Sequence, residues 1–430
     1  MSTRSDNLTS QLLTNTVLGD WFQPLLNSLD KVRFSDQRFQ SLPMKSFILF
    51  GCLRQFQNAP TLREQVQSLF HMDCQQSQLP VPRSTYSDAL SSPRRLEILR
   101  EAFERLTLTA QSQLPDRLAQ IPGLPSDRAI IATDTTYQTE SLHFRRVLPK
   151  EGGNDNQKGH ALLVHFDMRS GIPIGLTSTT ESLGEMRILK EAEHRTSRCL
   201  HTLNAIHVVD RAYVDGEFWD FHQYKYQSTV ITRMKSILSY TEIETRDIAT
   251  KPCNHNIRYD KVIRAKFSKQ PWRLIGFVTN DGDEYEYLTN DFDLEPGIVA
   301  FLYYRRWDEE KYFDMYKNDL AGKKAWGKSR TAIEQQALLG MVTLTLTRLF
   351  VIDQQKSLGL KKTDHTQDKK YEKKKERYHC MKNGVMFRAY YEPLSKVSRQ
   401  VWRFLKNCFS EKSSLALYQR QLKPLMLGYL

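Results

Sequence analysis

Tyr303, Arg306, Glu310 and Lys317 are spaced by 3, 4 and 7 residues. At about 100° per residue on a helix they fall near ~0°, ~300°, ~340° and ~320°, a single narrow stripe. A stripe holding a phenol, a guanidinium, a carboxylate and an ammonium is not expected to face a core. Two readings stay open. Arg306 and Glu310 form an i, i+4 pair, so the stripe can be a solvated salt-bridge face. It can equally be a phosphate-and-metal face, with Glu310 as a ligand and the cations and hydroxyl as phosphate clamps. Glu309 lies about 100° round the helix from Glu310, so the two are not interchangeable.

Asp134 and Asp210 each end a short apolar run, "RAIIATD" and "AIHVVD". In open α/β sheets that end of a strand is where sites are built. A carboxylate there also avoids the cost of burial inside the sheet. Taken singly, each Asp reads as turn punctuation. Taken with the helix stripe, three carboxylates from two strand ends and a helix can hold two divalent cations. Two ions ~3.5–4 Å apart activate an attacking oxygen and stabilise the leaving oxygen of a phosphodiester. Mg²⁺ suits an all-oxygen donor set, with Mn²⁺ as a substitute.

The elements that must position these groups are readable from periodicity. Residues 1–124 read as helical, with "LREQVQSLF" and "RLEILREAFERLTLTAQSQL" carrying apolar residues at helical spacing. Arg83, Ser84, Thr85 and Tyr86 open the second helix of either a helix-turn-helix or a plain helical packing unit. "IPGLPSD" marks a boundary. Over 125–235 the order is strand, a hairpin turning at Ser170-Gly171, helix, strand, helix, strand, which predicts an α/β domain with a mixed sheet. Asp167 is assigned to that hairpin. Asp215 is assigned as the N-cap of the helix in "GEFWDF". Residues 236–292 read as a β-rich insertion. One long helix is expected from Asp293, as N-cap, through Pro296 to near Gly322, followed by a buried helix over 331–352. Residues 353–430 hold a charge-dense segment and a last helical stretch. Within it, 361–382 has nine Lys/Arg against four Asp/Glu, either a DNA-tracking or simply a solvated segment.

Composition narrows the partner. The 430 residues carry 62 Lys and Arg against 49 Asp and Glu, a net charge of +13, which favours a polyanion such as nucleic acid. The N-terminus has no secretory pattern. The most apolar run, "ALLGMVTLTLTRLFVI", is shorter than the ~20 residues of a membrane span and is interrupted by Arg348, so no membrane partner is expected. Six scattered cysteines without a CxxC pair fit a reducing cytoplasm, not a disulfide scaffold or a zinc ribbon. Cys253-x-His255 lacks a second ligand pair and is discounted as a metal site.

The stretches "IIATDTTYQ", "HVVDRAYVDGEFW" and "YYRRWDEEKYFDMYK" resemble the three acidic motifs of DDE transposases of bacterial insertion sequences. The third is similar at every position to the signature Tyr-x2-Arg-x3-Glu-x6-Lys, written YREK, of insertion-sequence family four. The resemblance spans roughly residues 128–350. It implies an RNase H-like mixed-sheet catalytic core with a β-rich insertion before the catalytic helix, flanked by helical N- and C-terminal regions. The 100-residue gap from Asp210 to Glu310 fits that insertion.

The resemblance further implies Asp134, Asp210 and Glu310 as catalytic metal ligands for Mg²⁺, and Tyr303, Arg306 and Lys317 as contacts to phosphates beside the cut. Trp307, next to Arg306, is either a base-stacking residue at an opened DNA end or a core tryptophan. Trp272 is a weaker candidate for the same task. The implied partners are the terminal inverted repeats, read by the helical 1–124 segment, and target DNA, with a homodimer holding two ends in the cytoplasm on nucleoid DNA. Two other readings remain: an inactive transposase-derived DNA-binding regulator, and another RNase H-like nuclease. The full set of three carboxylates and four stripe residues favours the active transposase.

Overall fold

The computed structural model describes residues 4–357 except 15, 58–60, 73–80, 120, 140–158, 180–183, 194–196, 280–281, 324 and 328. The charge-dense segment and the last helical stretch lie outside the described residues.

Among the described residues six α-helices come first: α1 (Arg4–Leu13), α2 (Thr16–Leu29), α3 (Met44–Gln57), α4 (Leu62–Met72), α5 (Arg83–Leu90) and α6 (Pro93–Gln113). α5 opens at Arg83, with Arg83 and Ser84 exposed and Tyr86 buried. α6 begins on Ser92, whose side chain accepts from the Arg95 N–H, with Pro93 in the first turn where its missing N–H costs nothing.

The sheet follows. β1 (Ile130–Thr139), β2 (Gly159–Asp167) and β3 (Ile172–Thr179) form an antiparallel meander. Its hairpin closes at Gly171, whose φ of 71° suits a residue without a Cβ. Asp167 holds that turn, accepting from the Ser170 hydroxyl at 2.5 Å. After α7 (Glu185–Ala192) and α8 (Ser197–Leu200), β4 (Ile206–Val209) pairs parallel to β1. α9 (Gly216–Tyr226) then leads to β5 (Thr229–Arg233), parallel to β4. Asp215 caps α9 as expected, accepting from the Phe218 N–H at 3.0 Å. The strand order β3-β2-β1-β4-β5, antiparallel and then parallel, is the mixed sheet of an RNase H-like core.

The insertion continues this sheet. β6 (Tyr240–Thr245), β7 (Ile257–Ala265), β8 (Trp272–Val278) and β9 (Glu284–Thr289) extend it in the order β5-β9-β8-β7-β6, nine strands in all among the described residues. β9 returns antiparallel to β5, so the insertion is anchored along a core strand. Trp272 is corrected here. It is fully buried, and its indole N–H donates to the Ser268 hydroxyl at 3.0 Å, so it is a core residue and not a DNA wedge.

The expected single long helix is in fact three pieces. α10 (Pro296–Arg305) and α11 (Trp307–Asp314) meet at Arg306, and a π-turn runs over Met315–Asp319. At the joint the bonds tighten: the Arg306 N–H reaches Tyr303 O at 3.1 Å and the Glu309 N–H reaches Arg306 O at 2.9 Å. The cap is also one turn element later than expected. Glu295, not Asp293, precedes α10, with Pro296 in its first turn. Asp291 organises the approach, accepting from the Asp293 and Leu294 N–H groups at 3.0 and 2.9 Å. Gly297 is required there: a Cβ on it would stand 1.8 Å from the Cys253 carbonyl oxygen, so only glycine lets α10 dock on the Pro252–Asn254 turn.

α12 (Arg330–Ser357) is the central strut. By length and composition it could cross a membrane, but 83 % of its apolar window is buried inside the fold. It carries buried polar side chains that tie it to its neighbours: Glu334 accepts from Arg100 Nε at 2.9 Å and from the Ser178 hydroxyl at 2.8 Å, and Gln335 donates to Leu90 O at 2.7 Å. Trp21 on α2 bonds Thr347 at 3.3 Å. Through these contacts α12 joins the N-terminal helices to β3 in one continuous core.

Candidate active site

The parallel ladder of β1 and β4 ends at Thr133↔Val209. Asp134 and Asp210 are the next residues, so the register alone sets them side by side. Asp210 does follow the last residue of its strand, but Asp134 does not: β1 runs on to Thr139, pairing with β2, and Asp134 sits in its middle opposite Val164. The parallel pairing ends at Asp134, and that is what opens the site.

α10 and α11 supply the third side. The Tyr303 hydroxyl donates to Asp210 Oδ1 at 3.1 Å. Arg306 Nη1 donates to Asp134 Oδ2 at 2.8 Å and Nη2 to Glu310 Oε1 at 2.9 Å. The Arg306 guanidinium lies 5.7 Å from the centre of the Tyr303 ring, which joins the Tyr303–Asp210 pair to the Asp134–Arg306–Glu310 set. The expectation that this stripe avoids the interior fails: Tyr303 and Arg306 are buried, at 9 % and 6 % exposure, with Glu310 at the rim. The Arg306–Glu310 pair exists, but it is not a solvated helix pair, because Asp134 of another element shares the same guanidinium.

Trp307 is 55 % exposed, which removes the core reading and leaves its indole on the surface, one residue along the chain from Arg306. Lys317 is half-buried in the π-turn, seven residues beyond Glu310 and past the end of α11. Glu309 is fully buried while Glu310 reaches the rim, so the two carboxylates differ as their helical phase requires. Arg305 is also buried, so it is a structural residue at the end of α10 and no neutral stand-in for Arg306.

The electrostatics are those of a crowded acidic centre. Burial pushes the Asp134 carboxyl up to about 6 against the pull of Arg306, and Asp210 and Glu310 add to the rise. Glu185, which the sequence reading did not single out, belongs to the same field. Burial, then Asp134 and Asp210, push its carboxyl up to about 7. It is half-buried in the first turn of α7, which packs on the Arg211–Tyr213 turn just after Asp210. Tyr213 from that turn bonds the Thr135 hydroxyl at 2.5 Å, next to Asp134. An acidic residue in a first helical turn is too common to stand out in a sequence.

The donor chemistry fits a hard divalent cation: carboxylate oxygens on three elements, with no thiol or imidazole among them. As they stand, no three acidic, His or Cys side chains among the described residues enclose an ion. The position between Asp134 and Glu310 is taken by the Arg306 guanidinium.

The model of the transposase DDE domain family matches residues 126–346. The matched span contains both strands, the insertion, α10 and α11, and most of α12. Among solved structures, the chain is similar to a piggyBac transposase in a cryo-EM synaptic complex with hairpin DNA. Identity is 10 % and the TM-score 0.44, over 99 % of this chain and 85 % of that one. No curated protein matches this chain in sequence.

Proposed function

The chain belongs to the transposase DDE domain family, and from that premise we propose that it is the transposase of a family-four insertion sequence, cutting the ends of its element and joining them to target DNA. The observation that supports this reading is that Asp134, Asp210 and Glu310 are each hydrogen-bonded to Tyr303 or Arg306, with Asp134 and Asp210 adjacent at the end of the parallel ladder and Glu310 at the rim. The YREK spacing supports the finer assignment to family four.

Asp134, Asp210 and Glu310 would hold Mg²⁺ or Mn²⁺. When bound, the ions supply positive charge to the scissile phosphate and lower the pKa of the attacking water. The rest falls to the chain itself. The Arg306 guanidinium presents a fork that matches two phosphate oxygens. The Tyr303 hydroxyl, whose one proton is given to Asp210 here, would become a second donor to phosphate once an ion takes up that carboxylate. The Trp307 indole offers an exposed face on which a base drawn out of the duplex can stack. Lys317, further along, extends the cationic track. In the first step water attacks the phosphorus at the element's end, and the 3′ oxygen leaves and takes up a proton. In the second that 3′-hydroxyl attacks a target phosphodiester, loses its proton, and displaces the target's own 3′ oxygen. Each step exchanges one P–O bond for another, and no protein–phosphate bond forms.

We assign the helical 1–124 segment to recognition of the terminal inverted repeats, and two copies of the chain to one DNA complex in the cytoplasm. The net charge of +13 supports this partner. An excision assay tests the reading. A plasmid carries the element's two ends around a marker, and the chain is supplied from a second plasmid. The marker should be lost from its site and recovered elsewhere with wild type. No excision with wild type, with the protein expressed and bound to the ends, would identify a DNA-binding regulator instead.

A further inference from the structure

Arg306 stands where a divalent cation would be most strongly attracted. Its two terminal nitrogens fork between carboxylates of different elements, Asp134 on β1 at 2.8 Å and Glu310 on α11 at 2.9 Å. Its side chain is only 7 % exposed, so water screens these pairs little. Asp210, the third carboxylate, is held beside them by Tyr303. One guanidinium thus serves two of the carboxylates that would hold an ion, and its positive charge would compete with that ion for them. It cannot fork to that pair and to a DNA phosphate at once.

We propose that Arg306 is a resident counter-ion of the acidic centre: in the DNA-free protein it holds Asp134 and Glu310 and keeps divalent cations weakly bound, and a DNA phosphate draws it away. The inference rests on the transposase reading and adds its regulation. The position suits the task. Arg306 is the joint between α10 and α11, where the regular helical bonding gives way to i, i+3 bonds. Trp307, the next residue, is exposed, so DNA reaching that edge arrives within one residue of the guanidinium. Release of Arg306 by phosphate makes ion binding and DNA binding mutually supportive, and such coupling is reciprocal. An ion would then be recruited mainly once DNA is in place, which guards against cutting out of context.

The test is Mn²⁺ binding to the full-length protein, followed by the electron paramagnetic resonance signal of free Mn²⁺ and by melting temperature. Without DNA, Arg306→Gln should bind Mn²⁺ at least about tenfold more tightly than wild type, since two charge-assisted hydrogen bonds no longer compete. Mn²⁺ should also raise the melting temperature of Arg306→Gln more than that of wild type. Arg306→Lys keeps the charge without the fork and should fall between the two; it also serves if the glutamine variant folds poorly. Arg233→Gln is the control. Its guanidinium lies over the Tyr285 ring at 4.8 Å, outside the carboxylate fork, and its loss should change Mn²⁺ affinity far less. A short DNA duplex should tighten Mn²⁺ binding in wild type and not in Arg306→Gln. Equal Mn²⁺ affinity in wild type and Arg306→Gln, or equal tightening in Arg306→Gln and Arg233→Gln, overturns the counter-ion role. If either result comes with Mn²⁺ binding that Asp134→Asn abolishes, the transposase reading survives. If Asp134→Asn binds Mn²⁺ like wild type, the ion site and the reading built on it both fall.

Discussion

Asp134→Asn should lower the rate of DNA cutting by on the order of 10³-fold or more while leaving end binding nearly intact, because the swap keeps shape but removes a charge aimed at the reacting phosphate. Asp210→Asn and Glu310→Gln should do the same. The expected cost in stability is small by comparison. Arg306 loses one of two carboxylate partners and keeps Glu310, a change of about 1–3 kcal/mol at most. Binding and single-turnover cleavage measured on the same DNA separate the two effects. A variant that cuts within about tenfold of wild type would remove that carboxylate from the centre, since a lone bystander near the site is worth about that little.

The largest structural effect should come from Arg273 in the insertion. Its side chain is 1 % exposed and pairs with Asp260 through two of its three nitrogens, Nε to Oδ1 at 3.2 Å and Nη2 to Oδ2 at 2.6 Å. Nη1 donates to the carbonyls of Asp291 and Leu294 at 2.7 and 2.8 Å. Those residues lead directly into α10. Arg273→Ala leaves Asp260 buried without its partner and should cost about 3–5 kcal/mol. Arg273→Met with Asp260→Leu, which removes both charges and keeps volume, should recover much of that loss. Urea denaturation measures both. A loss under about 1 kcal/mol for Arg273→Ala would show that the pair does not anchor the insertion. Because the same guanidinium holds the entry to α10, Arg273→Ala should also impair cutting with every site residue intact.

Much of this centre was legible because its carrier elements obey simple periods. "IIATD" and "HVVD" are apolar runs, and each acid falls where the parallel pairing stops. Tyr303, Arg306 and Glu310 share a helical stripe, and the stripe faces the two strands. Three features were not legible. The break at Arg306 has no proline or glycine to announce it, and it decides that the guanidinium reaches β1 as well as Glu310. The stripe's burial depends on what packs over it, and a charged stripe reads as solvated until its partners are known. β6 falls in the stretch read as β-rich, but nothing in its pattern sets its bounds: it is the outer edge of the sheet, exposed along its whole length, so it carries no apolar face. Trp272 and Trp307 make the same point in opposite directions: one tryptophan is core and the other surface, and sequence alone left both open.

The proposed DNA-cutting centre of Asp134, Asp210 and Glu310 stands or falls on its products. The most direct measurement is cleavage of a plasmid carrying the element's two ends by purified protein with Mg²⁺, with the product ends mapped to the nucleotide. Wild type should cut at the element's ends and leave 3′-hydroxyls, and Asp134→Asn, Asp210→Asn and Glu310→Gln should not. Specific binding to the ends by wild type with no cut in Mg²⁺ or Mn²⁺, or cuts that persist in all three variants, would contradict that centre.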